Sequence, residues 1–214
     1  ISVMVGLRSR SGREEFDYQT LLYALSNYAS PRDCITRLLR SGTIIRIKKG
    51  LYIFGDEERR EPYSRELLAN LMYGPSFISL ESALAFFGLI PERVEAMLSV
   101  TTGRSREFDT PVGRFVYRST RIESFSIGVS RIEEGHTSFL IASPERALAD
   151  TIRSDRRGSF SGQTMIREYL FDDLRLDESG FRTMSPDLMT RLAEGLGSKK
   201  IRFGSKLVST MRGR

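Results

Sequence analysis

The chain contains the stretch Tyr28-Ala-Ser-Pro-Arg-Asp-Cys-Ile-Thr-Arg-Leu-Leu-Arg-Ser-Gly42, followed by Thr43-Ile-Ile-Arg-Ile-Lys-Lys-Gly-Leu-Tyr-Ile-Phe54. The first part predicts a short helix, because Ser30 can cap it, Pro31 suits its first position and Gly42 suits the left-handed residue after its end. The second part predicts a β-hairpin with strands Thr43–Ile47 and Leu51–Phe54 around a Lys-Lys-Gly tip. A helix followed by a hairpin is the layout of a winged helix-turn-helix, in which the helix enters the major groove and the wing contacts the DNA backbone.

The charges of this stretch favour DNA as its partner. Ile35, Leu38 and Leu39 share one helical face and are expected to pack inward. The cations of residues 28–54 number six against one acid, Asp33. Cationic side chains that neutralise DNA phosphates release bound counterions, which favours binding. Arginine can also bind guanine with two hydrogen bonds. The predicted DNA-binding residues are Arg32, Thr36, Arg37, Arg40, Arg46, Lys48 and Lys49. The alternative is an ordinary helix and hairpin with a basic, solvated outer face.

The preceding residues predict a supporting helix. Asp17 can cap a helix that runs to about Asn27, with an apolar stripe spaced for one face. The usual motif has one more helix between this helix and the basic one, but only residues 28–30 separate them here. The turn is therefore either abbreviated or the predicted boundaries are displaced.

Composition limits the class of protein. The chain has 214 residues, 40% hydrophobic residues and a formal charge of +6, so a packed core and a polyanionic partner are both expected. The single cysteine, Cys34, excludes an intrachain disulfide and fits a reducing, cytoplasmic setting. No apolar run has membrane-spanning length, and the start lacks a signal-peptide core.

The charged run Gly55–Pro62 predicts a linker and therefore two domains, a winged helix at 1–60 and a mixed domain at 61–214. The alternative is a charged loop within one domain. Beyond the linker, cap signals at Ser64, Ser79 and Ser143 predict helices, and three apolar segments (97–101, 112–118 and 137–142) predict strands. Further helices are predicted at 162–170, 186–196 and 200–211. The predicted class is α+β with a helical C-terminal end.

Three blocks of this sequence resemble the AbiEi-type antitoxin family. They are Ile44-Ile-Arg-Ile-Lys-Lys-Gly-Leu-Tyr-Ile53, Phe77-Ile-Ser-Leu-Glu-Ser-Ala-Leu-Ala-Phe-Phe-Gly-Leu-Ile-Pro-Glu92 and Ile141-Ala-Ser-Pro-Glu-Arg-Ala-Leu-Ala-Asp150. A departure is Phe87, where the family often has histidine before Gly-Leu. The resemblance covers about residues 16–153. It implies a winged-helix repressor of its own promoter, together with a C-terminal domain that neutralises a nucleotidyltransferase-like toxin.

The residues themselves give a structural interpretation of the second and third blocks. Ser79 and Gly88 are interpreted as the start and stop of a tightly packed helix. Ser143, Glu145 and Asp150 are interpreted as capping and surface charge.

The sequence predicts no catalytic residue, no metal site and no cofactor. One histidine, His136, follows Glu133-Glu134-Gly135 in a predicted turn, and a triad needs a better-placed base. There is neither a Walker A sequence nor a Gly-x-Gly-x-x-Gly motif. Gly158-Ser159 and Asp172-Asp173 faintly resemble a nucleotidyltransferase, but the two acids lack the alternating spacing that presents both carboxylates to one metal ion.

The C-terminal tail, 199–214, contains six cations and no acid. Its candidate contacts with a partner or with a second phosphate are Lys199, Lys200, Arg202 and Lys206, followed by Arg212 and Arg214. A solvated helix face is the alternative.

We therefore expect a cytoplasmic antitoxin that binds its own promoter and a toxin. Two alternatives stay open: a solitary regulator whose second domain senses a ligand or oligomerises, and an enzyme acting on nucleic acid.

Overall fold

The computed structural model describes residues 3–91, 94–156, 160 and 162–212. Glu92 of the second block, Gly158-Ser159 and Arg214 lie outside the described residues. Within them the chain is an α+β protein that ends in helices. No helix in this described part is long and apolar enough to cross a membrane.

The N-terminal region contains two helices around a short strand, then the basic helix and the hairpin. Its elements are α1 (Val3–Ser11), β1 (Glu15–Asp17), α2 (Tyr18–Ala24), α3 (Pro31–Arg40), β2 (Ile44–Lys48) and β3 (Leu51–Phe54). The three strands form an antiparallel sheet in the order β1-β3-β2. The predicted basic helix and hairpin are thus confirmed.

A helix that was not predicted from the sequence, α1, precedes α2. α1 packs against α2, while α2 and α3 are joined directly by the turn at 25–30. Asp17 caps α2 as predicted, accepting from the Thr20 amide at 2.8 Å, but α2 ends three residues early. Ser30 stands at the N-cap position of α3 as predicted, but its side chain makes no capping hydrogen bond. Gly42 adopts a left-handed φ of 72°, as predicted.

The C-terminal region surrounds a second sheet with helices. Its elements are α4 (Arg65–Met72), β4 (Ser76–Ile78), α5 (Leu80–Phe86), β5 (Met97–Thr101), β6 (Arg106–Thr110), β7 (Gly113–Ser119), β8 (Val129–Glu134), β9 (Thr137–Ala142), α6 (Pro144–Ser154), α7 (Gln163–Glu168), α8 (Glu178–Thr183), α9 (Pro186–Gly195) and α10 (Lys199–Arg212). A 3-10 turn spans Ile122–Ser124 and a π-helical turn spans Tyr169–Asp173. The predicted caps at Ser64 and Ser143 are confirmed.

This sheet has six strands in the order β6-β7-β5-β4-β9-β8. The β4–β9 and β5–β7 pairs are parallel, and the other neighbours are antiparallel. Parallel neighbours cannot be joined by a tight hairpin. β5 is therefore connected to β7 through β6, and β4 is connected to β9 through a longer segment that contains α5 and the strands β5 to β8. β4, β6, β8 and α8 were not predicted from the sequence.

β3 is buried on both of its faces. Leu51 and Ile53 belong to the large core cluster of the C-terminal region, whereas Tyr52 and Phe54 belong to the smaller cluster beneath α1, α2 and α3. Side chains alternate across a strand, so one four-residue segment contributes to both cores. The core therefore crosses the predicted linker, and the domain boundary near residue 60 stays a prediction.

Candidate nucleic-acid interface

The outer face of α3 presents a set of exposed polar and cationic side chains. Arg32, Thr36, Arg37 and Arg40 are exposed, while Ile35 is buried and Leu38 and Leu39 are half-buried against the smaller core. The inward and outward faces are as predicted. Because Leu38 and Leu39 pack against this core, the cations on the opposite face of α3 point toward solvent.

Side chains on this face of α3 form hydrogen bonds within the helix, but these bonds do not neutralise the charges of its arginines. The Thr36 hydroxyl donates to the Arg32 carbonyl at 3.0 Å, and Arg37 Nη2 lies 3.1 Å from the buried Cys34 sulfur. Sulfur is a weak acceptor, so this contact leaves the guanidinium charge uncompensated. Among the described residues, none of the arginines of α3 forms an ion pair with a carboxylate.

The hairpin, which we call the wing (Ile44–Phe54), separates its cations into two groups. Arg46 on β2 and Lys49 at the tip are exposed. Lys48 is half-buried and donates to the carbonyl of Met72 at the end of α4. Burial lowers the pKa of the Lys48 ammonium. The sequence analysis predicted that Lys48 and Lys49 both contact DNA. In the structure Lys48 points toward the C-terminal region instead.

Two buried acids behind the wing also join it to the following segment. Glu14 Oε1 accepts from the amides of Arg60 and Glu61 at 3.2 and 3.3 Å, and pairs with Arg8 at 2.9 Å. Glu15 Oε1 accepts from the Ser64 amide at 2.5 Å, and burial raises the pKa of the Glu15 carboxyl. The charged run is thus tied to β1 by its backbone.

One cation, Arg10, and two exposed tyrosines of the N-terminal region were not predicted as candidate DNA contacts from the sequence. The Arg10 guanidinium lies 3.8 Å from the centre of the Tyr23 ring, and Tyr23 is 59% exposed. Tyr28, in the turn before α3, is 40% exposed. Exposed tyrosine hydroxyls and arginines are common phosphate donors in protein–DNA complexes. The three arginines of residues 8–13 were the sequence signal that could have indicated Arg10.

The tail cations lie on α10, which packs against α6, α7, α8 and α9. Lys199, Arg202 and Lys206 are exposed. Lys200 is half-buried: its Nζ donates to the Asp155 carbonyl at 2.8 Å and lies 5.4 Å from the Phe160 ring centre. Lys200 is therefore engaged within the protein, unlike the other three.

The second and third sequence blocks meet in a buried polar network. Asp150 Oδ2 accepts from Ser79 Oγ and from Arg146 Nε, each at 2.8 Å. Arg146 also donates to the carbonyls of Ser124 and Ile127 at 2.5 and 2.8 Å. Asp150 is only 1% exposed, so its interpretation as surface charge is wrong. Ser79 stands at the N-cap position of α5 as predicted, but its hydroxyl makes no capping hydrogen bond and donates to Asp150 instead.

Comparison with known proteins places the whole chain within one solved fold. The crystal structure of the RV2827C protein from Mycobacterium tuberculosis superposes with a TM-score of 0.66 over 98% of this chain and 75% of that chain. The two chains share a fold. Their sequence identity is 18%, so the likeness describes architecture alone. No family model matches the chain, and no curated protein matches it.

Proposed function

We propose that this protein is a double-stranded-DNA-binding repressor of its own promoter, with α3 as the recognition helix. The supporting observation is the row of exposed arginines on α3, none of which pairs with a carboxylate in the described part of the chain, followed by exposed Arg46 and Lys49 on the wing. Cations that are not neutralised by a carboxylate are available to phosphates and to base edges. The order of α1, α2, α3 and wing suits a helix in the major groove flanked by a hairpin.

Within this proposal Arg37 and Arg40 contact base edges. Alanine at either position is expected to weaken binding to the promoter by about 1–3 kcal/mol and to weaken binding to random duplex less. Mobility shifts on the promoter and on a scrambled duplex of the same length measure the difference. Arg131→Ala on β8, an exposed arginine paired with exposed Glu133, is the matched control. Equal losses on both duplexes would make the two arginines phosphate contacts.

The two wing lysines are expected to behave differently. Lys49→Ala should weaken all sequences alike and reduce the slope of log K against log salt by about one, since a lysine tip contacts phosphate. Lys48→Ala should leave the slope unchanged, because the Lys48 ammonium donates to the Met72 carbonyl. Binding titrations from low to moderate salt give both slopes. A slope unchanged by Lys49→Ala contradicts a contact between the wing and DNA.

We further propose, from the resemblance to the AbiEi-type family, that the C-terminal region neutralises a nucleotidyltransferase-like toxin. The test is co-expression with the product of an adjoining gene that arrests growth. The full chain carrying both Arg37→Ala and Arg40→Ala should lose promoter binding and still rescue growth. Absence of rescue by the wild-type chain would favour the solitary regulator, with the DNA-binding proposal intact.

A further inference from the structure

A cavity of about 730 Å³ opens beside the C-terminal end of α6. Its walls come from the start of α5, from β5 and β7, from the end of α6 and from Tyr169. Cavities of about 300–1,000 Å³ hold small organic ligands. The residues proposed to contact DNA, on α3 and the wing, do not line this cavity.

Three arginines line the cavity: Arg118, Arg153 and Arg156. Arg153 is held in place because its Nη2 donates to the Ser119 carbonyl at 2.9 Å. Arg118 Nη1 lies 3.5 Å from a carboxylate oxygen of Glu107. A guanidinium has five N–H donors, so one such contact leaves several for a ligand. Their planar forks match phosphate oxygens better than an ammonium does.

The remaining lining is of two kinds. Leu80, Leu98 and the ring of Tyr169 give an apolar wall, and Glu81 and Ser105 give polar groups that can bind hydroxyls. Leu80 also has a φ of 56°, which is unusual for a residue with a branched side chain. Backbone strain of this kind clusters at ligand sites.

We infer that this cavity binds a nucleoside phosphate. The arginines would bind the phosphate, and the apolar wall would pack against the base. The Glu81 carboxylate and the Ser105 hydroxyl would form hydrogen bonds with the sugar hydroxyls. The lining contains three guanidinium groups and two carboxylates, Glu81 and Asp155, and Glu107 pairs with Arg118 from beside it. The guanidinium forks, rather than an excess of positive charge, therefore favour a phosphate group as the ligand. An apolar wall and sugar-binding groups would be superfluous for inorganic phosphate alone.

Isothermal titration calorimetry on the full chain tests this assignment, with AMP, inorganic phosphate and adenosine as separate probes. AMP should bind saturably, and phosphate and adenosine should each bind at least tenfold more weakly. Arg118→Gln combined with Arg156→Gln should weaken AMP binding at least tenfold. Arg131→Gln is the control, and it should leave AMP binding unchanged. Circular dichroism verifies that each variant is folded.

Three results would overturn the assignment. These are no saturable binding of AMP, equal affinity for AMP and phosphate, and AMP affinity unchanged in a folded Arg118→Gln/Arg156→Gln variant. Promoter binding by the same variant separates this site from the DNA contact. Loss of promoter binding without any AMP binding to the wild-type chain would make these arginines DNA contacts and reject the nucleotide site.

Discussion

Arg146→Ala is expected to lower the free energy of unfolding by about 3–5 kcal/mol, because it leaves the Asp150 carboxylate buried without its ionic partner. Both side chains are at most 1% exposed, and their 2.8 Å contact joins residues one helical turn apart on α6. The variant also removes the donors to the Ser124 and Ile127 carbonyls. Urea unfolding followed by circular dichroism measures the loss.

Two variants make this expectation specific. Arg131→Ala breaks an exposed pair and should change the free energy of unfolding by less than about 1 kcal/mol. Arg146→Met combined with Asp150→Leu also removes the hydrogen bonds that Arg146 donates to backbone carbonyls and the acceptor of the Ser79 hydroxyl, but it leaves no charge buried alone, so it should cost less than Arg146→Ala. A cost for Arg146→Ala no larger than that of Arg131→Ala would show that the buried pair is not needed to hold the second and third blocks together.

Ile53→Ala in the wing is expected to lower the free energy of unfolding by about 2–5 kcal/mol. Ile53 is fully buried and belongs to the core cluster of the C-terminal region. Its removal therefore opens a cavity where the wing and the C-terminal region share one core. Thermal and urea unfolding measure the cost, and a single transition seen by two probes would show that both regions unfold together.

Ile122→Ala is the matched control, because the Ile122 side chain is 72% exposed. It should leave the free energy of unfolding within about 0.5 kcal/mol of the wild type. Two separate transitions, with only the first lowered by Ile53→Ala, would instead support independent domains.

Local patterns in the sequence were sufficient for the basic helix and its surface. Pro31 and Gly42 bound α3, and the spacing of Ile35, Leu38 and Leu39 separates the buried face from the cationic one. These features depend on residues a few positions apart, which a helical period reveals. α1 was not predicted because it has no acid in its first turn, contains Gly6, and alternates arginine with serine from Arg8 to Ser11.

Features that depend on distant residues could not be predicted in this way. The Lys48 contact with Met72 and the Ser79 contact with Asp150 each join positions far apart in the sequence. A lysine near a hairpin tip more often contacts solvent or phosphate, and a serine before a helix more often caps that helix. The local sequence therefore predicted the wrong contacts for Lys48 and Ser79. The continuous apolar run Leu51–Phe54 was an available signal, since an unbroken run of this kind suits a strand covered on both faces.

The outermost strands of the six-stranded sheet, β6 and β8, have a consequence for solubility. Each has one edge that pairs with no other strand of the described residues, and such edges can recruit strands from other molecules. Arg106, Glu107 and Asp109 are exposed on β6, and Arg131, Glu133 and Glu134 are exposed on β8. Charged side chains on an edge oppose pairing between molecules. Both ends of the sheet are thereby protected against aggregation.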